Sequence, residues 1–113
     1  MGDCTFPKQL HLRTGKEFQE VYRHGKVFRN RHFVLVWHEG KPMKVGVVAS
    51  KKVGNAVVRN RLKRCMREAF RLHRSHLTRE GAMVLAARPS ARDLKGRQVV
   101  ESIVGLLRQA RLL

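Results

Sequence analysis

One segment, residues 55–76, restricts the fold of this 113-residue chain more than any other part of it. Asn55 follows Gly54 and is a suitable N-cap, so the segment is predicted to be a long helix. At about 100° per residue, the helix has an apolar side made of Val58, Leu62, Cys65, Met66, Ala69 and Leu72, with Phe70 at the border. Its other side carries Arg59, Lys63, Arg64, Arg67, Arg71 and Arg74. Such a helix must pack its apolar side against another layer of structure.

The cationic side has almost no acid to balance it, since Glu68 is the one acidic residue in the segment. Stacked like charges at i,i+4 destabilise a helix by ~0.2–0.5 kcal/mol per pair. Lys51, Lys52, Arg59 and Arg61 also crowd the helix start, where the dipole favours acids. A solvated face is the simpler interpretation, but solvated faces usually mix signs. The pattern therefore favours an anionic partner, with phosphate suited to the helix N-terminus.

The whole chain also carries a large excess of positive charge, with 25 Lys and Arg against 8 Asp and Glu and a formal net charge of +17. This excess indicates nucleic acid or an anionic membrane as the partner. No apolar run approaches the ~20 residues needed to span a bilayer. The N-terminus also lacks the apolar core of a secretory signal. We therefore expect a cytoplasmic protein with no membrane partner, and charge alone does not separate DNA from RNA.

The other local patterns predict an α+β chain. Thr14 and Glu17 form a capping-box pattern that opens a helix over 14–23, and Gly25 ends it. A β-rich stretch, 27–38, is one strand or two interrupted near Asn30 and Arg31, and residues 43–50 are predicted to be its hairpin partner after the turn "EGKP". A further strand over 81–88 is ended by "RPSARD", and the last helix covers 95–111.

These elements give the order αβββαβα, a single-domain α-β sandwich over 1–113 with residues 1–12 as an N-terminal tail or loosely docked arm. If the two strands that flank the long helix are parallel neighbours, they form a βαβ unit. The hand of that unit does not follow from the sequence.

The stretch "SKKVGNAVVRNRLKRCMREAFR", residues 50–71, resembles the signature of the bacterial ribonuclease P protein family, whose core is here Arg59-Asn60-Arg61. Three other stretches are similar to the family's first helix, a strand and the segment after its last strand: "TGKEFQEVYRHGK", "NRHFVLVW" and "AARPSA". The resemblance covers roughly residues 12–107.

The resemblance implies a subunit of a ribonucleoprotein endonuclease that removes the 5′ leader of precursor tRNA. It implies that an RNA subunit does the chemistry with bound Mg²⁺, so that no cofactor is expected on the protein, which we expect to be monomeric. The implied fold is a sandwich with a left-handed βαβ crossover, also found in a ribosomal-protein domain, against a base rate of about 98% right-handed. The implied contacts to the catalytic RNA are Arg59, Asn60, Arg61, Lys63, Arg64 and Arg67.

The leader of precursor tRNA would lie between the sheet and the first helix. Phe18 and Tyr22 match aromatic positions of the family there; their i,i+4 spacing fits ordinary core equally well, whereas exposed rings would stack on bases. Val36 stands where the family often has an aromatic residue, and Trp37 in another register is a possible replacement. The implied leader-binding set is Phe18, Tyr22, Val36, Ser50, Lys51, Lys52 and Arg88.

Protein-based catalysis has little support in the sequence, because the carboxylates are scattered and form no metal-binding pair. His73 and His76 are i,i+3 neighbours without an evident third ligand, so we predict no metal. Cys4 and Cys65 are predicted to be a free tail thiol and a small core residue. Two alternatives stay open: a noncatalytic ribosomal or RNA-assembly protein, and a metal-dependent protein nuclease.

Overall fold

The computed structural model describes residues 10–113 and contains three helices and four strands in the predicted order. Short 3₁₀ turns follow α2 and β4, at Arg74–His76 and Pro89–Asp93. The elements are α1 (Gly15–His24), β1 (Lys26–Arg29), β2 (Phe33–Glu39), β3 (Lys44–Val48), α2 (Ala56–His73), β4 (Gly81–Ala87) and α3 (Gly96–Gln109). The β-rich stretch is thus two strands, with the interruption at Asn30–His32.

The predicted capping box of α1 is present. Thr14 Oγ1 accepts a hydrogen bond from the Glu17 backbone N–H at 3.1 Å, and Glu17 Oε1 accepts from the Thr14 N–H at 3.2 Å. At the other end the Gly25 N–H donates to Val21 O, and a Cβ at Gly25 would collide with that oxygen and with Val36. Glycine therefore lets the chain leave α1 directly above the sheet.

The predicted hairpin between β2 and β3 is wrong, because β4 lies between them in the order β1-β2-β4-β3. β4 pairs antiparallel with β2 and parallel with β3. Its sequence "GAMVLAA" is an apolar run whose first five residues are buried, and a strand without an alternating pattern belongs in the centre of a covered sheet. Gly40, at φ 84°, turns the chain after β2, and β3 takes the far edge of the sheet.

The strands that flank α2 are parallel neighbours, so the conditional prediction of a βαβ unit, β3-α2-β4, is confirmed. The predicted N-cap of α2 is also present, since Asn55 Oδ1 accepts from the Val58 N–H at 3.0 Å. The left hand of the crossover stays a prediction from the resemblance.

The sheet separates two apolar clusters. The larger one joins α2 and α3 to alternate residues of the sheet, among them Phe33, Leu35 and Met83. The smaller one lies on the α1 side and contains Leu12, Val21, Val36, Ala82 and Val84. Because successive side chains of a strand point to opposite faces, β2, β3 and β4 each contribute to both clusters.

The buried side of α2 differs from the predicted one at its C-terminal end. Phe70 is buried, with 1% exposure, whereas Leu72 is 46% exposed. The buried row is Leu62, Met66 and Phe70 at i,i+4 spacing, and Leu72 lies outside it. Phe70 therefore belongs to the core rather than to its border.

The N-terminal arm is docked where the structure describes it. The Leu12 N–H donates to Val45 O at 3.0 Å, and the Leu12 side chain is buried on the α1 side of the sheet. Of the two forms expected for residues 1–12, a tail or a docked arm, the docked arm therefore describes residues 10–12, because Leu12 belongs to the smaller cluster. Residues 1–9, including Cys4, lie outside the described part of the chain. Among the described residues, no helix combines the length and apolar character needed to cross a bilayer.

Candidate nucleic-acid interface

The outward side of α2 carries the cations predicted to meet a polyanion. Asn60 and Arg64 are exposed, while Arg59, Lys63 and Arg67 are half-buried, with long side chains along the helix surface. No acid stands in the first turn of α2, although its N-terminus already carries the positive end of the helix dipole. We call the set Arg59, Asn60, Lys63, Arg64 and Arg67 the α2 face.

Glu68, the one acid of α2, does not neutralise this face. Both of its oxygens accept from Arg71, at 2.9 Å from Nε and 2.6 Å from Nη2. The Arg71 side chain holds the pKa of Glu68 below its ordinary value, so the carboxylate stays ionised and paired. The cations of the α2 face thus have no acid partner on α2 beyond one that Arg71 already occupies.

Arg61 has a different position from the rest of the predicted RNA-binding set. Its guanidinium donates to two backbone carbonyls of the segment before α3, Leu94 O at 2.8 Å and Arg92 O at 2.6 Å. Arg61 therefore ties the start of α2 to the start of α3. Its contact with RNA stays a prediction.

An open row of three small apolar residues and one arginine lies on the α1 side of the sheet. Arg29, Val34, Ala86 and Val48 stand opposite one another across the four strands. The neighbouring row contains Val36 and Val84, which are buried in the cluster with α1, whereas Val34, Ala86 and Val48 are half-buried. We call Arg29, Val34, Ala86 and Val48 the open row. Sequence reasoning missed it, although the alternation of each strand could have placed these residues on one face once the strand order was known.

The two aromatic residues of α1 have different surroundings. Phe18 packs into the smaller cluster against Gly46, where a Cβ would overlap its ring. Tyr22 is 49% exposed, and partial burial raises the pKa of its hydroxyl. The core interpretation therefore fits Phe18, and Tyr22 is the α1 ring that offers a surface for stacking.

Val36 and Trp37 do not offer such a surface. Val36 is only 5% exposed and lies beneath α1, so its expected place on an accessible cleft surface is corrected to the core. Trp37 is 4% exposed in the other cluster, across the sheet, and its Nε1 donates to Glu39 Oε1. As an adjacent strand residue it points to the opposite face and cannot replace an aromatic residue at Val36.

Polar and cationic residues gather where β3 and β4 end, next to the open row. The Val53 N–H donates to Ser50 O, which closes a turn that leaves Ser50, Lys51 and Lys52 exposed. Arg88 is exposed directly after β4 and donates from Nη1 to Asn30 O at 3.2 Å. The predicted edge residues are thus brought together at one end of the sheet.

Residues 10–113 contain no group of three His, Cys, Asp or Glu side chains placed to hold a metal ion. His73, one of the two imidazoles considered as ligands, instead uses Nδ1 to donate to Ala69 O at 3.0 Å. That bond closes the last turn of α2, where the dipole also favours a cation.

A cationic helix on one side of a small sheet and an open row edged by lysines and arginines on the other are typical of proteins that bind polyanions. The family model described as Ribonuclease P matches residues 6–111 of the chain. The chain therefore belongs to the ribonuclease P protein family.

Individual relatives agree with the family model. The chain is 36% identical over 109 residues to the ribonuclease P protein component of Listeria innocua, covering 94% of this chain and 92% of that one. It is 33% identical over 108 residues to that of Staphylococcus epidermidis, with 93% of each chain covered.

Two solved structures share the fold. The ribonuclease P protein of Staphylococcus aureus superposes with a TM-score of 0.85 at 32% identity, over 91% of this chain and 96% of that one. The protein of Thermotoga maritima gives 0.78 at 28% identity, over 88% and 96%.

Proposed function

We propose that the chain binds the catalytic RNA of ribonuclease P through the α2 face and supports removal of the 5′ leader from precursor tRNA. The RNA subunit carries the chemistry with Mg²⁺ bound to RNA, and the protein supplies no catalytic side chain. The α2 face supports this proposal most directly, because its cations begin near the positive end of a helix and their one nearby acid is engaged by Arg71. Phosphates of a folded RNA match such a surface.

The leader would lie along the open row. Val34, Ala86 and Val48 form a low apolar floor, and α1 on the same side of the sheet carries the exposed ring of Tyr22. Stacking and apolar contact accept any base, so this surface suits leaders of differing sequence. Ser50, Lys51, Lys52 and Arg88 would contact leader phosphates at the end of the sheet, while Phe18 holds α1 in place from the core.

The partners that follow are ribonuclease P RNA and precursor tRNA, with the protein acting as a monomer in the cytoplasm. The two RNAs meet opposite sides of the sheet, since α2 and α1 pack on different faces. A single small domain thus places the leader at a fixed distance from the catalytic RNA.

Reconstitution tests this proposal. Cleavage of precursor tRNA is measured with the protein alone, the RNA subunit alone, and both together at low Mg²⁺. We expect no cleavage by the protein and a large gain on combination. Cleavage by the protein alone would indicate a protein nuclease, and no gain on combination would favour a ribosomal or assembly protein.

A charge-matched pair of variants locates the interface. Lys63→Ala/Arg64→Ala in α2 should abolish most of the gain at low Mg²⁺, whereas Arg108→Ala/Arg111→Ala, at and just beyond the end of α3, should preserve it. Equal activity of the two variants would place the RNA away from the α2 face.

A further inference from the structure

A groove of about 330 Å³ separates the outer surfaces of α2 and α3. Its floor is formed by Cys65 and Val100, which are half-buried at the margin of the larger cluster. Arg64 on α2 and Arg97 on α3 stand on its two sides, and Glu68 and Gly96 complete the lining. The groove is thus apolar at its base and cationic at its rim.

The width of the groove is fixed by the Arg61 bridge described above. With two guanidinium N–H groups bound to Arg92 O and Leu94 O, the start of α3 cannot move away from α2 without breaking both hydrogen bonds. Gly96 keeps the groove open because it has no side chain. A Cβ at this position would lie in contact with the groove floor, 3.6 Å from Cys65 Sγ. The structure therefore holds a preformed recess rather than a collapsed contact.

The acids near the groove leave its rim positive. Glu68 already accepts two bonds from Arg71. Glu101 lies 3.5 Å from Arg97 Nε, but the Arg97 side chain is 90% exposed, and an exposed pair of this kind contributes little. Lys95, exposed at the start of α3, adds a further cation.

We propose that this groove accepts an unpaired nucleotide of the ribonuclease P RNA, an inference that rests on the proposed function. The base lies on Cys65 and Val100 between the planes of Arg64 and Arg97, and its flanking phosphates contact Lys95 and Arg97. Guanidinium planes stack on bases, and bases outside a duplex are free to enter a recess. Arg64 belongs to the groove and to the α2 face, so RNA bound there extends across to α3.

Cys65 gives a direct probe, because its thiol forms the floor. In a Cys4→Ser background, the rate of Cys65 alkylation by N-ethylmaleimide is measured without RNA and with saturating ribonuclease P RNA. We expect saturating RNA to lower the rate of Cys65 alkylation at least tenfold. The control is the thiol of Arg108→Cys in a Cys4→Ser/Cys65→Ser background, which should react at the same rate in both conditions. Unchanged alkylation of Cys65 in the complex, or equal slowing of both thiols, would overturn the inference.

A second pair of variants tests the space itself. Gly96→Val fills the groove from the start of α3, and its Cβ would make an ordinary contact, so the protein should fold. Gly105→Val is the same change further along α3, where a Cβ meets nothing within 4 Å. We expect Gly96→Val to weaken RNA binding about tenfold, as for loss of one stacked base, and Gly105→Val to leave it unchanged.

Equal affinity of the two glycine variants would refute the groove inference. The Lys63→Ala/Arg64→Ala variant distinguishes failure of the groove inference from failure of the proposed RNA binding by the α2 face. If it loses RNA affinity while Gly96→Val does not, the groove inference alone fails. If it also binds like the wild type, the proposed function of the α2 face fails as well.

Discussion

Arg61 and Arg64 are three residues apart in one basic motif, yet their side chains have different contacts and different expected roles. Arg61 donates to Arg92 O and Leu94 O and joins two helices, while Arg64 is exposed on the α2 face. Hydrogen bonds from a charged donor are worth about 1.5–3 kcal/mol each, and less where water competes. One arginine is therefore expected to stabilise the fold and the other to bind RNA.

Arg61→Ala should lower the free energy of unfolding by about 2 kcal/mol, because two carbonyls lose their donor. Arg64→Ala, on the surface, should change it by less than about 0.5 kcal/mol. Urea denaturation of both variants measures the difference. Arg61→Lys keeps the charge but not the fork, so it should be destabilised as well. Equal stability of Arg61→Ala and Arg64→Ala would contradict the structural role of Arg61.

Substitution of Tyr22 is expected to affect leader binding, whereas substitution of Phe18 is expected to affect packing. Tyr22→Ala should weaken the binding of leader-bearing substrate by about 1–3 kcal/mol, the value of one stacked base, and spare leaderless tRNA. Phe18→Ala should instead lower the free energy of unfolding, by about 2 kcal/mol for a partly buried ring, because the packing against Gly46 is lost. Binding of the holoenzyme to both substrates, together with urea denaturation, checks each part. Loss of both substrates on Tyr22→Ala would argue against a leader contact.

The start of α1 contains a carboxylate whose ionisation is linked to folding. The Arg13 backbone N–H at 2.7 Å, Lys44 Nζ at 2.9 Å and the Thr14 N–H lower the pKa of Glu17 from 4.5 to about 2. A pKa lower in the folded state means that ionised Glu17 stabilises the protein above pH 4.5. This contribution is lost as the pH falls from about 4.5 towards 2.

Glu17→Gln should therefore be less stable than the wild type near neutral pH, and the difference should shrink as the pH falls from 4.5 towards 2. Urea denaturation at pH 6.5, above the window from 4.5 to 2, and at pH 3, inside it, measures the two differences. Glu20→Gln is the control, because its carboxylate is half-exposed and 4.0 Å from Lys41. A pH-independent difference between the wild type and Glu17→Gln would rule out the linkage.

Local signals in the sequence placed each helix and strand, except that they left open whether residues 27–38 form one strand or two. The Thr14–Glu17 box and the Asn55 cap are properties of a few adjacent residues and were confirmed, and the apolar period of α2 failed only near its C-terminal end, at Phe70 and Leu72. The position of β3 was not predictable in this way, because strand order depends on which strand can be buried on both faces. Trp37 was a similar case: alternation excludes it from the α1 side only when the register of β2 is known.

In the candidate site, too, features set by local sequence could be predicted, and features that depend on tertiary structure could not. The cations of α2 follow from the helical period, and the comparisons with known proteins agree with the family that the motif indicated. The open row and the bridge made by Arg61 join residues far apart in the sequence, so no local pattern contained them. Val36 was misplaced for the same reason, since its burial depends on the position of α1.

The net charge of +17 makes binding by the entire protein sensitive to salt. If about five cations contact phosphate, the slope of log affinity against log salt should be about −3.5 to −4.5, so a fourfold rise in salt weakens RNA binding roughly 100- to 500-fold. Arg64→Ala should flatten this slope by about 0.7–0.9, whereas Arg108→Ala should not. Titrations at several salt concentrations test this; an identical slope for Arg64→Ala and the wild type would move the RNA contact elsewhere.

The central position of β4 also affects the order in which the chain can be assembled during synthesis. β2 and β3 share no ladder with each other, and the strand that joins them is not made until residues 81–87 emerge. A nascent chain that ends before this strand therefore holds β3 apart from the β1–β2 pair, although it already carries all of α2. The basic helix is thus synthesised before the strand that closes the sheet beneath it, and the sheet can close only after residues 81–87 have been made.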